Sequence, residues 1–284
     1  MNIQWYPGHM TKAKRMMQEN MKLIDLIIEI VDARLPISSR NPEIDDIVGN
    51  KPRLMLLNKA DIADSSLNRE WEKYFAKKGI TAYAVSSTSG KNFNFIFDKC
   101  KELLSSKIER EKEKGIVNRA IKIMICGVPN VGKSSFINKL SGRKSAITGD
   151  RPGVTKGKQW IRIKNGFELL DTPGILWPKF DDEAVGLKLA YTGAIKDEII
   201  DTEELACNLL EYLRDNYPET LEKRYKMENF SQMQGYELLM YLGKKRGFVI
   251  SGGEINTERA AGILLDEFRG AVLGNITLEK PSEF

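Results

Sequence analysis

The chain has 284 residues, 42% apolar and 29% charged, which suits a globular protein with a full core, in two domains or one domain with an appendage. Its three cysteines, Cys100, Cys126 and Cys207, lie far apart without a CxxC pair, which argues against a disulfide framework or a zinc site and fits a reducing cytoplasm. The formal charge of +5 divides into −7 over residues 179–284 and +12 over 1–178, so the first part suits a polyanion such as nucleic acid unless it is simply an unevenly charged surface.

In chain order, WYPGHMTKAKR (5–15) carries the only histidine, His9, and has no apolar core that would make it a secretory leader. LIDLIIEIVDAR (23–34) reads as a buried strand; its three acids and short length rule out a membrane span. RLMLLNKAD (53–61) and ITAYAVSST (80–88) are further strands with polar endings, and the helical stretch 65–79 between them stops at a glycine. A helix follows from residue 92, with Phe93, Ile96, Phe97, Cys100 and Leu104 on one face, and continues into the charged KIEREKEKG (107–115). AIKIMICG (120–127) and FELLDTPG (167–174) complete the strand pattern. Strands alternating with helices predict an α/β fold with a mostly parallel sheet flanked by helices, which places the polar strand endings along one edge. Residues 201–216, 234–247 and 256–274 read as helices, the last capped by Asn256 or Thr257. The predicted division is therefore 1–178 and a small all-α domain over 179–284.

GVPNVGKSS (127–135) fits GxxxxGK[ST] between a strand and a helix. Backbone N–H groups from Asn130, Val131, Gly132, Lys133, Ser134 and Ser135 would wrap phosphates, with Lys133 reaching the β- and γ-phosphates and Ser134 ligating magnesium. Asp171 of DTPG would hold magnesium through water, and the Gly174 N–H would face the γ-phosphate. Thr155, between the two motifs, is the expected second magnesium contact, with Thr148 as an alternative. In NKAD, Asp61 would accept from the guanine ring, Asn58 would meet the base edge and brace the loops, and the Lys59 stem would cover the ring. Ser86, Ser87 and Thr88 suit the loop that donates to guanine O6. Together these motifs select GTP over ATP.

The motif order is rotated: base recognition precedes the phosphate loop, so the domain is a circularly permuted P-loop GTPase domain. DTPG then leads directly into the helical domain, and nucleotide state is expected to set that domain's angle or mobility. WYPGHMTKAKR, DARLPISSRNP (32–42), NKAD, GVPNVGKSS, RPGVTKG, DTPGILWP (171–178) and AAGILLDEFRGAVLG (260–274) resemble the circularly permuted ribosome-assembly GTPases of the RbgA/YlqF type over nearly the whole chain. The resemblance implies GTP hydrolysis coupled to late maturation of the large ribosomal subunit, stimulation by the particle, and docking of the tail domain on rRNA. It also implies a potassium ion at Asn130. The expected partners are the large-subunit precursor, its rRNA and GTP or GDP, with no membrane and a monomer off the ribosome.

Ile175 stands where Ras-like enzymes carry the glutamine that orients water, so another group must do that work or hydrolysis is slow. His9 is one candidate; contact with phosphate or RNA, or a purely structural role, are the others. Lys12, Lys14 and Arg15, the group Lys156, Lys158, Arg162 and Lys164, and GKKRG (243–247) are candidate phosphate contacts or ordinary solvated cations. The alternatives in function are a GTP-dependent RNA-binding scaffold with little catalysis, and a GTPase acting on the small subunit or another RNA.

Overall fold

The computed structural model describes residues 8–90, 93, 95–116, 119–142, 159–163, 166–180 and 182–284, and the backbone alone of residues 9 and 159. Two compact units divide the chain: one runs to Lys179 and takes in Thr277–Phe284, and the other is Phe180–Ile276.

The first unit is built on a six-stranded sheet of β1 (Leu26–Asp32), β2 (Arg53–Asn58), β3 (Thr81–Ala84), β4 (Ile121–Cys126), β5 (Gln159–Ile163) and β6 (Phe167–Asp171), in the order β3-β2-β1-β4-β6-β5. All neighbours are parallel except the edge pair β5–β6. Every residue of β1 is buried, as expected for a central strand covered on both faces. The register sets Asp32 beside Asn58, Leu57 beside Ala84, and Ile125 beside Asp171. Parallel strands end together, so loops far apart in sequence meet at one edge.

The flanking helices follow from local chemistry. α1 (Gly8–Asn20) and α2 (Glu43–Val48) lie before and after β1. The Asp64 carboxylate accepts from the N–H groups of Ser66 and Leu67 to start α3 (Ser65–Lys77), which buries Asn68, Trp71 and Phe75 at helical spacing. Trp71 and Phe75 pack with Val31, Met55 and Leu57 into one core. The connector between β3 and β4 is two helices, α4 (Ile96–Leu103) and α5 (Ser105–Glu113), where the sequence predicts one. α6 (Lys133–Ser141) follows β4. The edge strand β5, five residues long, is absent from the sequence reading.

The second unit is helical: α7 (Glu183–Tyr191), α8 (Thr202–Asn216), α9 (Pro218–Tyr225), α10 (Gly235–Lys245) and α11 (Thr257–Arg269). α8 buries Leu205, Leu209, Leu210 and Leu213, and α11 buries Ala260, Ala261, Leu264, Leu265 and Phe268. Asn256 caps α11 by accepting from the Arg259 N–H at 2.9 Å, as its position predicts. α7 and α9, at nine and eight residues, are not among the helices that the sequence pattern predicts. Among the described residues no helix is long and apolar enough to cross a membrane.

Residues 277–284, assigned from sequence to the helical domain, pack instead with the sheet. Glu279 is fully buried and accepts from the N–H groups of Ile37 (2.8 Å) and Ser38 (3.2 Å) and from the Ser38 hydroxyl. The Trp71 indole donates to the Glu279 carbonyl, and Phe284 lies 5.8 Å from the Trp71 ring. A buried carboxylate needs such donors, and the segment after β1 supplies them.

Candidate nucleotide site

The strand ends present the phosphate loop, DTPG and NKAD side by side. Gly127 and Gly132 have φ of 149° and 92°, and a Cβ would lie 2.2 Å from the Ile30 carbonyl oxygen at the first and 2.4 Å from Asn58 Nδ2 at the second. Only glycine fits there. Asn130 also has positive φ, at 60°, a conformation asparagine tolerates. α6 starts at Lys133 with Gly132 at its cap, so the helix N-terminus opens onto the loop.

Lys133 is buried and donates to the carbonyls of Gly127 (3.2 Å) and Val128 (2.9 Å). Burial pulls its ammonium down to about 8, opposed by the charge of Asp171. Burial also raises Asp171, to about 6, against the pull of Lys133 and a backbone N–H. Asp171 Oδ1 makes no hydrogen bond to any described residue, although it is shut away from solvent. A buried carboxylate oxygen without a donor, at the end of the strand next to the one that leads into the phosphate loop, is the chemistry a hard cation takes up. Thr172 is spent on the fold: its hydroxyl donates to the Ile125 carbonyl at 2.7 Å. A Cβ on Gly174 would meet the Pro129 backbone at 2.7 Å, so the DTPG turn lies against the phosphate loop.

Asn58 joins the two halves of the site. Its Nδ2 donates to the Val131 carbonyl at 2.7 Å, and its Oδ1 accepts from the Ser87 N–H (3.0 Å) and hydroxyl (2.7 Å). Asn58 thereby bridges the phosphate loop and the SST loop, and its oxygen is filled by Ser87. Ser86 is buried, and its hydroxyl accepts from the Ser89 N–H. Asp61, Thr88 and Ser135 are exposed, and Ser134 and Lys59 are half-buried. Lys59 has φ of 63°, and its Nζ lies 3.2 Å from Asp32 Oδ2. Asp32, which no nucleotide motif marks as a site residue, is buried against Arg34 in a two-pronged ion pair of 3.0 and 2.8 Å. Burial pushes its carboxyl up, but the charges of Arg34 and Lys59 prevail and hold it well below the usual range. The only sequence signal for this pair was the DAR spacing.

Thr155, Thr148, Lys156, Lys158, Lys164 and the His9 side chain lie outside the described residues. Beside His9, Met10 is fully buried and its sulfur accepts from the Leu176 N–H at 3.4 Å, which fastens α1 to the segment after DTPG. Ile175 is itself buried. Of the basic candidates, Lys12 is exposed, Lys14 pairs with Glu43 at 3.0 Å and Arg15 with Glu19 at 3.0 Å. Arg162 pairs with Glu168, and Arg246 lies 3.6 Å from Glu267; Lys244 and Lys245 are exposed. Among the described residues no group of three His, Cys, Asp or Glu could hold a metal ion.

Known GTPases resemble the chain along its length. Residues 122–242 match the family described as 50S ribosome-binding GTPase, a match that begins on β4, after the NKAD and SST loops. Ribosome biogenesis GTPase A of Bacillus licheniformis is 51% identical over 283 residues and all of both chains, and that of Thermotoga maritima 30% identical over 99% of this chain and 95% of its own. Mouse mitochondrial ribosome-associated GTPase 1 is 32% identical over 97% of this chain and 90% of its own. The solved structure of GDP-bound YlqF superimposes with a TM-score of 0.65 at 26% identity, over 94% of this chain and all of that one.

Proposed function

The chain belongs to the ribosome biogenesis GTPase A family, and from that we propose that this GTPase acts late in maturation of the large ribosomal subunit, with turnover raised by the particle it binds. The observation that carries the nucleotide half of this reading is Asn58, bonded at once to Val131 of the phosphate loop and Ser87 of the SST loop. One side chain thus sets the distance between the phosphate and guanine ends of the pocket, and Asp61 beside it supplies the guanine-selective acceptor.

Asp171, with its unpartnered Oδ1, and Ser134 would hold magnesium, with Thr155 as the further contact. Held there, magnesium would supply positive charge to the phosphates. The protein's own groups do the rest. Backbone N–H groups of residues 130–135 hold the phosphates, Lys133 turns from its loop carbonyls to the β- and γ-phosphates, and the Gly174 N–H meets the γ-phosphate. His9 is the candidate for orienting water or gripping phosphate; support comes from Met10, whose bond to Leu176 brings α1 to the DTPG segment. Asn130 would bind potassium, whose charge takes the part of an arginine finger. The helical unit, with Lys244 and Lys245 exposed, and Lys12 of α1 are the proposed rRNA contacts. The protein works in the cytoplasm and is a monomer off the ribosome.

The test is GTP hydrolysis with each purified ribosomal subunit, in potassium and then sodium. Turnover rising with large-subunit precursors and falling in sodium is the expected result. Buried, apolar Ile175 favours a second reading, a GTP-dependent scaffold on RNA; turnover unmoved by either subunit would select it.

A further inference from the structure

We propose that Asn41 is a positioning residue for GTP hydrolysis, holding the turn after DTPG through the carbonyl of Ile175. The inference rests on reading the phosphate-loop site as hydrolytic. Asn41 sits near the end of the DARLPISSRNP segment and is 2% exposed. Its Nδ2 donates to the Ile175 carbonyl at 3.0 Å, across 134 residues of sequence. Its Oδ1 accepts from the Glu43 N–H at 2.9 Å, so the first turn of α2 fixes the direction of the amide.

The turn is held from three sides. Asn41 takes the Ile175 carbonyl, the phosphate loop takes the Ile175 N–H through Gly127 O at 3.4 Å, and Met10 takes the Leu176 N–H. Of these bonds the Asn41 contact is the short one, made by a buried side chain with no other freedom. Ile175 directly follows Gly174, whose N–H the proposed mechanism aims at the γ-phosphate. A displacement of about 1 Å at such a group costs up to about 100-fold in rate. At its other end the same segment carries Asp32, paired with Lys59 of NKAD. The segment therefore touches both the base side and the γ-phosphate side of the pocket while contributing no motif residue to either.

The discriminating variant is Asn41→Asp. An aspartate still accepts from the Glu43 N–H at a helix N-terminus, but it cannot donate, and it sets a carboxylate against the Ile175 carbonyl. Asn41→Gln, one methylene longer, keeps a donor. Both full-length variants and the wild type are compared by steady-state GTP hydrolysis, affinity for a fluorescent GDP analogue and thermal melting. In N41D kcat should fall about tenfold while KM and GDP affinity stay within about twofold, because the turn is the one part of the proposed nucleotide site that Asn41 bonds; N41Q should recover turnover above N41D. An N41D kcat equal to wild type overturns the proposal, as does a loss of GDP affinity in step with kcat, which marks a merely structural residue. A wild-type chain that binds guanine nucleotide yet shows no turnover, alone or with ribosomal particles, overturns the hydrolytic reading and this inference with it.

Discussion

Ile175 follows the DTPG turn as a buried side chain, 2% exposed, with its backbone bonded on both sides. An apolar side chain cannot orient water. Restoring the glutamine of Ras-like enzymes at this position should therefore fail, because the new amide would be buried without partners. Ile175→Gln is expected to cost about 1–3 kcal/mol of stability and to leave GTP turnover no higher than wild type; melting curves and phosphate release check both parts. At the same scale, glycine is required at position 132 because Asn58 occupies the space a Cβ would take. The phosphate loop and NKAD are thus fitted to one another atom against atom.

At the scale of the element, β1 shows what the permuted order demands. Its two acids and Asp25, the residue just before it, are all buried and all paired: Asp25 with Lys107 and Arg119, Glu29 with Arg40 and Arg53, and Asp32 with Arg34 and Lys59. Asp25 also accepts from the Lys122 N–H at 2.8 Å, so it ties the α5 connector and the start of β4 to the central strand. Burial pushes the Asp25 carboxyl up, but the bonds from Lys107, the Lys122 N–H and Arg119 outweigh it and leave it below its ordinary 3.8. A lowered carboxyl contributes stability above its unfolded value and loses it as pH falls through the folded one. Asp25→Asn should therefore lower the melting temperature at pH 7 by roughly 2–8 °C, from about 1–2 kcal/mol of lost charge-assisted bonding. The gap between variant and wild type should close as pH drops below about 4; melting curves across that range decide it.

At the scale of the molecule, the helical unit Phe180–Ile276 is an insertion in the chain of the other unit, since Thr277–Phe284 returns to the sheet. The Leu278 N–H donates to the Arg34 carbonyl at 2.6 Å, and the Asp64 N–H to the Thr277 hydroxyl at 2.9 Å. With Glu279, these bonds fasten the tail to the loops after β1 and β2, beside NKAD. Glu279→Ala would leave the Ile37 and Ser38 donors buried and unpaired, at roughly 1–3 kcal/mol each. The expected outcome is a fall in melting temperature of at least about 5 °C, with Trp71 fluorescence shifted toward that of an exposed indole. Glu279→Gln, whose oxygen still accepts, should lose less. Within the helical unit a comparable buried carboxylate, Glu267, accepts from the Tyr225 hydroxyl at 2.8 Å and pairs with Arg224.

The amino-acid sequence by itself determined the chemistry and its order. GVPNVGKSS, DTPG, NKAD and SST are local patterns whose glycines and polar residues carry meaning at fixed spacing, and apolar runs placed them on strands that a parallel sheet must end together. Five of the six strands and the longer helices were legible for the same reason: hydrophobic period and caps are local. Short elements such as β5, α7 and α9 carry too few turns of pattern to stand out. What only the tertiary structure decided are bonds between residues far apart in sequence. Asn58 with Val131 and Ser87, Asn41 with Ile175, the pairing of Asp25 and of the two acids of β1, and the return of Glu279 to the sheet unit each depend on a partner that no spacing encodes. A buried charge must find its counterpart wherever the fold brings one, so the acids that excluded a membrane span in the sequence became, in the folded protein, the ties that hold its central strand to the connector, to Arg40 and the start of β2, and to Lys59 of NKAD.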